Sequence, residues 1–268
     1  MVEYLYQFFY RSLIELTNGK WSSHLLKRFS SSSLSKHLIP SYARVYNINQ
    51  DESSRKLDEY ENLHSLFTRQ LKENARVIAA DPSAVVSPVD GVLEDYGEIT
   101  LEKSIIVKGR TYSIEEMLED PDSLRKYLGG SFMVLYLSPS HYHRIHAPVS
   151  GTVKKRWVLG QKSYPVNKLG MKYGRAPLSK NYRNITEVEH EKGMVAIVKV
   201  GAMFVNSIEI TEQSDKLVKG QEFAYFSFGS TVVLLFEKGI FQKDIQKPVP
   251  SDVRVGEKLG VLTDAEQD

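Results

Sequence analysis

The sequence contains no cysteine among its 268 residues. This absence excludes disulfide bonds, thiolate metal sites and a cysteine nucleophile. With seven histidines present, a site built from histidine and carboxylate ligands is the one kind of metal site that the composition allows. The composition therefore leaves the compartment of the protein open.

The sequence also lacks a long apolar run. No uninterrupted stretch of about 18 apolar residues exists, so we expect no membrane-spanning helix. Gln7, Arg11 and Glu15 interrupt the apolar residues at the front, and no small-residue cleavage site follows, which argues against a secretory signal. Hydrophobic residues make up 41% of the chain, which is enough for a globular core.

The front of the chain is basic and rich in aromatic residues. Residues 1–50 carry six Lys or Arg and two Glu, and the segment from Tyr4 to Leu16 mixes large apolar side chains with a few polar ones. Such a segment suits the headgroup boundary of an anionic membrane. A helix packed on its own domain explains the pattern equally well.

The rest of the chain shows a helical pattern followed by a strand pattern. Asp51 is placed to cap a helix with one apolar face, formed by Leu57, Tyr60, Leu63, Phe67 and Leu71. From Val85 onward, short β-branched and aromatic runs separated by glycine predict strands, and Ser113 with Glu116 predicts one helix that ends near Gly129. We expect a helical, amphipathic, membrane-associating region over 1–75 and a β-rich catalytic domain over 76–268.

A short pattern occurs twice. The segment Ser87-Pro-Val-Asp-Gly-Val-Leu93 is echoed by Ala147-Pro-Val-Ser-Gly-Thr-Val153, and the segment 253–261 resembles the closing turn of lipoyl-type or hybrid-motif barrels. The echo predicts two related β-turn units. The expected fold class is therefore α+β, with N-terminal helices on a mainly antiparallel β-sandwich or barrel that has duplicated, hybrid-motif-like halves.

Three places combine reactive side chains with turn glycines. They are Asp90, the histidines of His141-Tyr-His-Arg-Ile-His146, and Ser230 after Gly229. A carboxylate, an imidazole and a hydroxyl can form a nucleophilic triad, whatever their order in the chain. Each also has an ordinary explanation: a turn-forming Asp, histidines that could be zinc ligands but lack an HExxH pattern, and a serine that begins a strand.

Six segments together resemble the successive motifs of bacterial-type phosphatidylserine decarboxylases. They are SPVDG (87–91), VKGRTYS (107–113), HYHRIHAPVSG (141–151), YPVN (164–167), VGAMFVNSIE (200–209) and KGQEFAYFSFGSTVVLLFE (219–237). The histidine-rich segment and the FGST segment are highly specific together. One position departs from the pattern, because Tyr182 stands where many members have glutamate, so that glutamate's role cannot be transferred.

The resemblance implies a proenzyme that cuts itself between Gly229 and Ser230. Asp90, His146 and Ser230 would form the self-cleavage triad, and His143 would act in decarboxylation. The products would be a large chain, 1–229, and a small chain, 230–268, with Ser230 converted to a pyruvoyl group and no metal required. That group would form a Schiff base with phosphatidylserine and yield phosphatidylethanolamine and CO2 in phospholipid biosynthesis.

The expected partners follow from this substrate. Residues 154–183 contain nine Lys or Arg and no Asp or Glu, with Trp157, Tyr164 and Tyr173 among them. This pattern indicates a surface for anionic phospholipid, with a solvated pair of loops and nucleic-acid binding as the alternatives. We expect a peripheral protein on the cytoplasmic face of the cell membrane. The two chains of one precursor would be partners, no nucleic acid is expected, and a homodimer is left open.

Three alternatives remain at this point. A serine hydrolase could use the same triad without cutting itself, although the GxSxG elbow is absent. A lipoyl-like binding module on a membrane would need a lysine in a modification hairpin, and none is clear. A pyruvoyl decarboxylase for a soluble amino acid shares the chemistry, and the front segment argues against it only mildly.

Overall fold

The computed structural model describes residues 20–161, 163–166, 168–202, 208–227 and 230–265. The segment from Tyr4 to Leu16, Gly229 and Phe228 lie outside the described residues. The helices before the first strand are α1 (Lys20–Ser30), α2 (Ile39–Val45) and α3 (Leu63–Phe67), with 3-10 turns at Ser33–Leu38 and Leu57–Glu59.

The single helix predicted after Asp51 is wrong. Only Leu63–Phe67 forms an α-helix there, and Asn62 caps it by accepting a hydrogen bond from the Ser65 backbone N–H at 2.9 Å. The periodicity arose because three of the five residues, Leu57, Tyr60 and Leu63, pack in one small core. Tyr60 and Leu66 are buried in it against Ile39. The division of the chain at 75/76 stays a prediction.

Sixteen strands are described, and all the paired ones run antiparallel. They are β1 (Ala84–Val86), β2 (Gly91–Glu98), β3 (Ser104–Val107), β4 (Arg110–Ser113), β5 (Ser131–Leu137), β6 (Arg144–His146), β7 (Gly151–Leu159), β8 (Arg183–His190), β9 (Gly193–Gly201), β10 (Ile208–Ile210), β11 (Lys216–Leu217), β12 (Glu222–Phe226), β13 (Ser230–Phe236), β14 (Phe241–Lys243), β15 (Ser251–Val253) and β16 (Lys258–Leu262). Strands appear in each β-branched run that predicted them.

The helix predicted from Ser113 forms as two. Ser113 Oγ accepts a hydrogen bond from the Glu116 N–H at 3.0 Å, as its spacing predicted, and begins α4 (Ile114–Leu118). Glu119 then adopts a left-handed conformation with φ 46°, and Pro121 begins α5 (Pro121–Tyr127). The remaining helices are α6 (Lys168–Tyr173) and α7 (Pro177–Lys180).

The fold is organised around one eight-stranded sheet, in the order β11-β7-β8-β9-β13-β5-β2-β15. Two three-stranded sheets, β1-β16-β14 and β10-β12-β6, cover one face of it and enclose the largest hydrophobic cluster. Helices α4 and α5 and the β3-β4 hairpin contribute to a second cluster on the other face. The α+β class is confirmed as a sandwich, and the described residues form no closed barrel.

The duplicated turn is visible in the backbone. The two copies exchange hydrogen bonds, from Val86 N–H to Pro148 O at 3.0 Å and from His146 N–H to Pro88 O at 2.8 Å. The two bonds are equivalent, because exchanging the copies turns one bond into the other. The two copies are therefore related by an approximate twofold arrangement. The sequence echo therefore reflects a structural repeat.

No helix in the described part of the chain is long and apolar enough to cross a bilayer. In the basic segment 154–183, Tyr164 is buried, and Trp157 donates its indole N–H to Leu118 O at 2.9 Å. These two rings pack on the protein itself. Among the described residues of this segment, Lys154, Lys155, Lys172 and Lys180 are exposed and available to a lipid surface.

Candidate active site

Asp90 lies in the turn between β1 and β2, and its carboxylate is buried and fully engaged. The Val255 N–H donates to Oδ1 at 2.9 Å. Arg76 donates its Nε–H to the same oxygen at 2.8 Å and a second N–H to Oδ2. This fork pairs both oxygens with one guanidinium, a geometry that fixes the plane of a carboxylate.

Arg76 belongs to a wider ionic network that joins distant parts of the chain. It also donates to Glu52 at 2.8 Å, and Glu52 accepts from Arg254 at 3.0 Å. The pairing with Asp90 and Glu52 raises the pKa of Arg76 against the opposing effect of burial. Sequence reasoning missed Arg76, although a basic residue 14 positions before a buried carboxylate was the available signal.

His146 ends β6 and has both ring nitrogens occupied. Nδ1 lies 2.7 Å from Gly220 O, which can only accept, so the proton sits on Nδ1. Nε2 lies 3.2 Å from the Tyr142 hydroxyl and accepts from it. Burial lowers the pKa of His146, opposed by the Gly220 hydrogen bond and by the charges of Glu222 and Asp90. The imidazole is therefore neutral at pH 7 and has the tautomer that a general base needs.

The Gly220 carbonyl reaches His146 because the backbone turns there with φ +81°. A Cβ at this position would lie 2.7 Å from the Ile78 side chain. Only glycine meets both conditions without strain. The tautomer of His146 thus depends on a backbone group, which no pattern of reactive side chains could have indicated.

His143 is fully buried and stacks on Phe67, with ring centroids 3.9 Å apart. Its Nε2–H donates to Ser138 O at 3.0 Å, and its Nδ1 has no hydrogen-bond partner among the described residues. Burial lowers its pKa well below the usual value, and the positive charge of Arg69 lowers it further. His143 therefore presents a free lone pair inside the protein.

Ser230 begins β13 in the middle of the large sheet. It is fully buried, and its Oγ has no hydrogen-bond partner in the described part of the chain. On one side it pairs with Leu137 of β5, and on the other with Gly201 of β9. An unpartnered hydroxyl in the interior is costly, which marks this position for a role other than stability.

The strand pairing places His143 close to Ser230. Leu137, which faces Ser230, precedes Ser138, whose carbonyl accepts from His143. On the other side, His143 O accepts from the N–H of Phe226 at 3.0 Å, four residues before Ser230. Both unpartnered atoms, His143 Nδ1 and Ser230 Oγ, thus belong to one region of the interior.

Asp90 and His146 lie near each other without a direct hydrogen bond. The Asp90 charge acts on the pKa of His146, while the partners of the carboxylate are Arg76 and Val255. No hydrogen bond joins Ser230 to either residue within the described ranges. The grouping of Asp90, His146 and Ser230 as a triad stays a prediction, as does the role of His143.

Comparison with known proteins identifies the family to which this sequence is similar. The family model described as phosphatidylserine decarboxylase matches residues 63–261. The phosphatidylserine decarboxylase proenzyme of Anoxybacillus flavithermus is 58% identical over 98% of this chain and 97% of its own length. That of a Geobacillus species is 57% identical over 94% of this chain and 98% of its own.

The chain belongs to the phosphatidylserine decarboxylase family. The resemblance inferred from the six motifs is confirmed, and the family name makes the protein a decarboxylase, hence an enzyme. The relatives are named as proenzymes, so they are proteins that require processing. Within the described ranges of this family member, no group of three or more His, Asp or Glu side chains is arranged to hold a metal ion.

Proposed function

We propose that this protein cuts itself between Gly229 and Ser230 and uses a pyruvoyl group made from Ser230 to decarboxylate phosphatidylserine. The observation that carries the proposal is the buried Ser230 hydroxyl at the start of β13, which has no hydrogen-bond partner among the described residues. The products are the chains 1–229 and 230–268. The reaction releases CO2 and forms phosphatidylethanolamine for phospholipid biosynthesis.

The cleavage begins with Ser230 Oγ as nucleophile. It adds to the Gly229 carbonyl carbon while its proton passes to His146 Nε2. The C–N bond then breaks, the nitrogen of residue 230 takes up a proton, and an ester replaces the amide. Loss of the α-proton and rupture of the Cβ–O bond free the Gly229 carboxylate. Water then adds at the α-carbon, ammonia leaves, and a ketone remains.

His146 is suited to the proton transfer because its partners are already in place. Gly220 O holds the proton on Nδ1, and the lone pair of Nε2 is occupied only by the Tyr142 hydroxyl. Burial raises the pKa of Tyr142, so this hydroxyl stays protonated and can be displaced or can relay a proton. Asp90 then stabilises the imidazolium through its charge, while Arg76 fixes its position.

The pyruvoyl group, once formed, would supply a ketone that can bind the primary amine of phosphatidylserine and an electron sink for the pair that departing CO2 leaves behind. His143 is the residue that we assign to the proton balance of this step. Its Nδ1 has no hydrogen-bond partner among the described residues, and burial lowers the pKa of the ring, so a proton taken up there is readily given away. It can therefore hold a proton at Nδ1 only briefly and deliver it readily.

The substrate places the enzyme at a bilayer. We propose peripheral association with an anionic membrane on its cytoplasmic face, supported by the net basic residues 1–50 and the exposed lysines of 154–183. Flotation with vesicles of phosphatidylserine and phosphatidylcholine tests this. Binding should fall as salt rises and vanish on pure phosphatidylcholine, and equal binding to both vesicles would refute the electrostatic attraction.

The proposed activity is tested with the full chain and phosphatidylserine in mixed micelles. We expect CO2 and phosphatidylethanolamine to form in equal amounts as the precursor disappears on a denaturing gel. The Ser230→Ala protein should fold, remain one chain and release no CO2. Decarboxylation by that variant at the parental rate would refute the role of Ser230.

A further inference from the structure

Arg69 carries a buried positive charge that the steps above do not use. The residue is 4% exposed, and its Nη2 donates to Ser140 O at 2.9 Å and to His141 O at 3.1 Å. Its Nε and Nη1 have no hydrogen-bond partner among the described residues, and no carboxylate there forms an ion pair with it. A buried charge without a counter-ion is costly, which indicates a role other than stability.

The two residues before Arg69 contact the same part of the chain. Phe67, the last residue of α3, stacks on the His143 ring with an interplanar angle of 22°. The Thr68 carbonyl accepts a hydrogen bond from Arg144 Nε at 3.0 Å. Residues 67–69 therefore make successive contacts with residues 140–144, which connect β5 to β6.

The turn held by Arg69 also sets the position of the proton on His143. The first residue of the turn, Ser138, accepts the Nε2–H of His143 at its carbonyl, at 3.0 Å. The Ser138 N–H donates to His141 Nδ1 at 3.0 Å, which closes the turn. Because a carbonyl can only accept, the lone pair of His143 is on Nδ1. Arg69 thus fixes, through two carbonyls, the turn that selects this tautomer.

The charge of Arg69 acts on the same imidazole. Burial lowers the pKa of His143 most, the charges of Arg69 and His141 lower it further, and the hydrogen bond with Ser138 O raises it. A guanidinium stays protonated throughout the pH range in which enzymes work. Since no described carboxylate pairs with Arg69, its charge is not cancelled locally, and it keeps protons off His143 in the resting protein.

The base proposed for self-cleavage has different surroundings. Besides burial, the groups that shift the pKa of His146 are the Gly220 hydrogen bond and the charges of Glu222, Asp90 and Arg144. Removal of the Arg69 side chain therefore leaves these groups in place. The contacts of Arg69 favour a part in the later step, the one assigned to His143.

We infer that Arg69 is a positioning residue for decarboxylation, which holds the turn 138–141 and, through it, the orientation and tautomer of His143. The inference rests on the proposed function, in which His143 handles the proton. Arg69 acts through the turn and the imidazole and does not touch the reacting atoms. Phe67 and Thr68 hold the same arrangement from the adjoining positions of the chain.

The test compares fully processed Arg69→Met with the parent, using phosphatidylserine in mixed micelles. We expect kcat for CO2 release to fall about tenfold or more, because a displaced imidazole is poorly placed for proton transfer. KM should stay within about twofold, since substrate binding is not altered. The acid limb of kcat should move to higher pH, because His143 loses the positive charge that lowers its pKa.

Arg69→Lys separates the charge from the hydrogen bonds. It keeps the charge and loses the planar fork, so kcat should fall several-fold while the acid limb stays near that of the parent. Arg125→Met, at an exposed position on α5, is the matched control and should leave kcat, KM and the pH profile unchanged. If Arg69→Met fails to process, Arg69→Lys decides, and a parental kcat in that variant would overturn the inference.

Histidine spectra give a readout that needs neither reaction. In the full-length Ser230→Ala protein, the ¹⁵N shifts of the His143 ring, assigned by their loss in His143→Gln, should report a neutral ring with its proton on Nε2. Adding Arg69→Met should mix the two tautomers and raise the pH at which the ring takes up a proton. The same tautomer and the same titration in both proteins would overturn the inference, even if Arg69→Met had a lower melting temperature.

Failure of the proposed function remains distinguishable in these experiments. A parent that neither cleaves nor decarboxylates refutes the proposed function, whereas the histidine spectra still report what Arg69 does to His143. A parent that is fully active, with an Arg69→Met variant that matches it in kcat and in acid limb, refutes only the role of Arg69.

Discussion

The two copies of the repeated turn share one backbone and differ in their chemistry. In the first copy, Ser87 N–H donates to Glu257 O, and in the second, Ala147 N–H donates to Gln221 O, both at 2.8 Å. The polar residue of each turn accepts an N–H from the residue before a glycine of positive φ. Val255 donates to Asp90, and Lys219 donates to Ser150, both at 2.9 Å.

The comparison separates structural from chemical roles. Accepting one N–H is a scaffold task, since Ser150 performs it with a hydroxyl. Asp90 differs from Ser150 in its negative charge and its second oxygen, and Arg76 donates hydrogen bonds to both carboxylate oxygens. Likewise, His146 in the second copy stands where Val86 stands in the first. The repeat thus provides the frame, and in the proposed function two side chains, Asp90 and His146, make it reactive.

Transplanting the second copy's residue into the first should have the largest effect. Asp90→Ser keeps an acceptor for the Val255 N–H and removes the carboxylate. We expect a folded protein whose self-cleavage is slower by about 100-fold or more, because the imidazolium loses its stabilising charge. Cleavage is followed by denaturing gel over time.

The converse exchange, Ser150→Asp, is the matched control. It adds a carboxylate to the turn whose polar residue is not among the hydrogen-bond partners of Arg76 in the described residues, so cleavage should stay within about twofold of the parent. If Asp90→Ser cleaves at the parental rate, the carboxylate serves only to accept the Val255 N–H and has no role in cleavage.

The second copy also carries His143, which has no counterpart in the first. His143→Gln should leave cleavage unchanged and slow decarboxylation by about 100-fold, since a proton carrier is removed after the ketone has formed. CO2 release is measured on fully processed protein. Normal decarboxylation by this variant would exclude the assigned role.

Of the two turns, Arg76 is hydrogen-bonded to the first, through Asp90, and its loss should have an intermediate effect. Arg76→Met removes hydrogen bonds to a charged group, so we expect cleavage slower by about tenfold. The substitution also removes the positive charge that is paired with Asp90, so the negative charge of Asp90 should raise the pKa of His146 more strongly, while the charges of Glu222 and Arg144 stay as they are. The acid limb of the cleavage rate should therefore move to higher pH.

Arg76→Lys serves as its control, because it retains the charge and loses the fork. The acid limb of its cleavage pH profile should stay near that of the parent. Its cleavage rate should lie between those of the parent and Arg76→Met. A purely structural Arg76 would lower the melting temperature in both variants without moving the pH profile.

The paired glycines allow a direct test of the repeat. Gly220→Ala and Gly256→Ala both place a Cβ at positive φ against Ile78, so each should lower the free energy of unfolding by about 1–3 kcal/mol. Only Gly220 carries the carbonyl that holds His146. Cleavage should slow in Gly220→Ala and stay normal in Gly256→Ala. Equal cleavage rates in the two variants would show that the Gly220 carbonyl does not set the tautomer of His146.

The smallest effect is the pH dependence of the parent. The pKa of His146 lies below the ordinary 6.5, so the base is unprotonated through neutral pH. The cleavage rate should be flat above about pH 6.5 and fall as pH drops through the folded-state pKa. Stability should decline as pH falls from the ordinary histidine pKa of 6.5 towards the lowered folded-state pKa values, because the unfolded chain takes up protons there that buried His143 and His146 do not. A rate that halves between pH 8 and 7 would contradict this.

Local patterns predicted much of this molecule. The β-branched runs gave the central strands, Ser113 capped its helix, and the motifs indicated Asp90, His143, His146 and Ser230. Helical periodicity between Asp51 and Leu71 misled, because apolar residues in a small irregular core imitate the spacing of one helix face.

What escaped prediction depends on long-range geometry. Arg76 acts on Asp90 only after the chain folds back, and Gly220 contributes a carbonyl that every residue possesses. Arg69 reaches the carbonyl of Ser140 from 71 positions away in the chain.

The central claim concerns one backbone bond, and intact mass spectrometry tests it most directly. After incubation, the denatured protein should give two masses, 1–229 and 230–268, with the smaller chain lacking a free amino group and carrying a ketone at its first residue. A single species of the full 268-residue mass, with an unaltered serine at 230, would contradict the account.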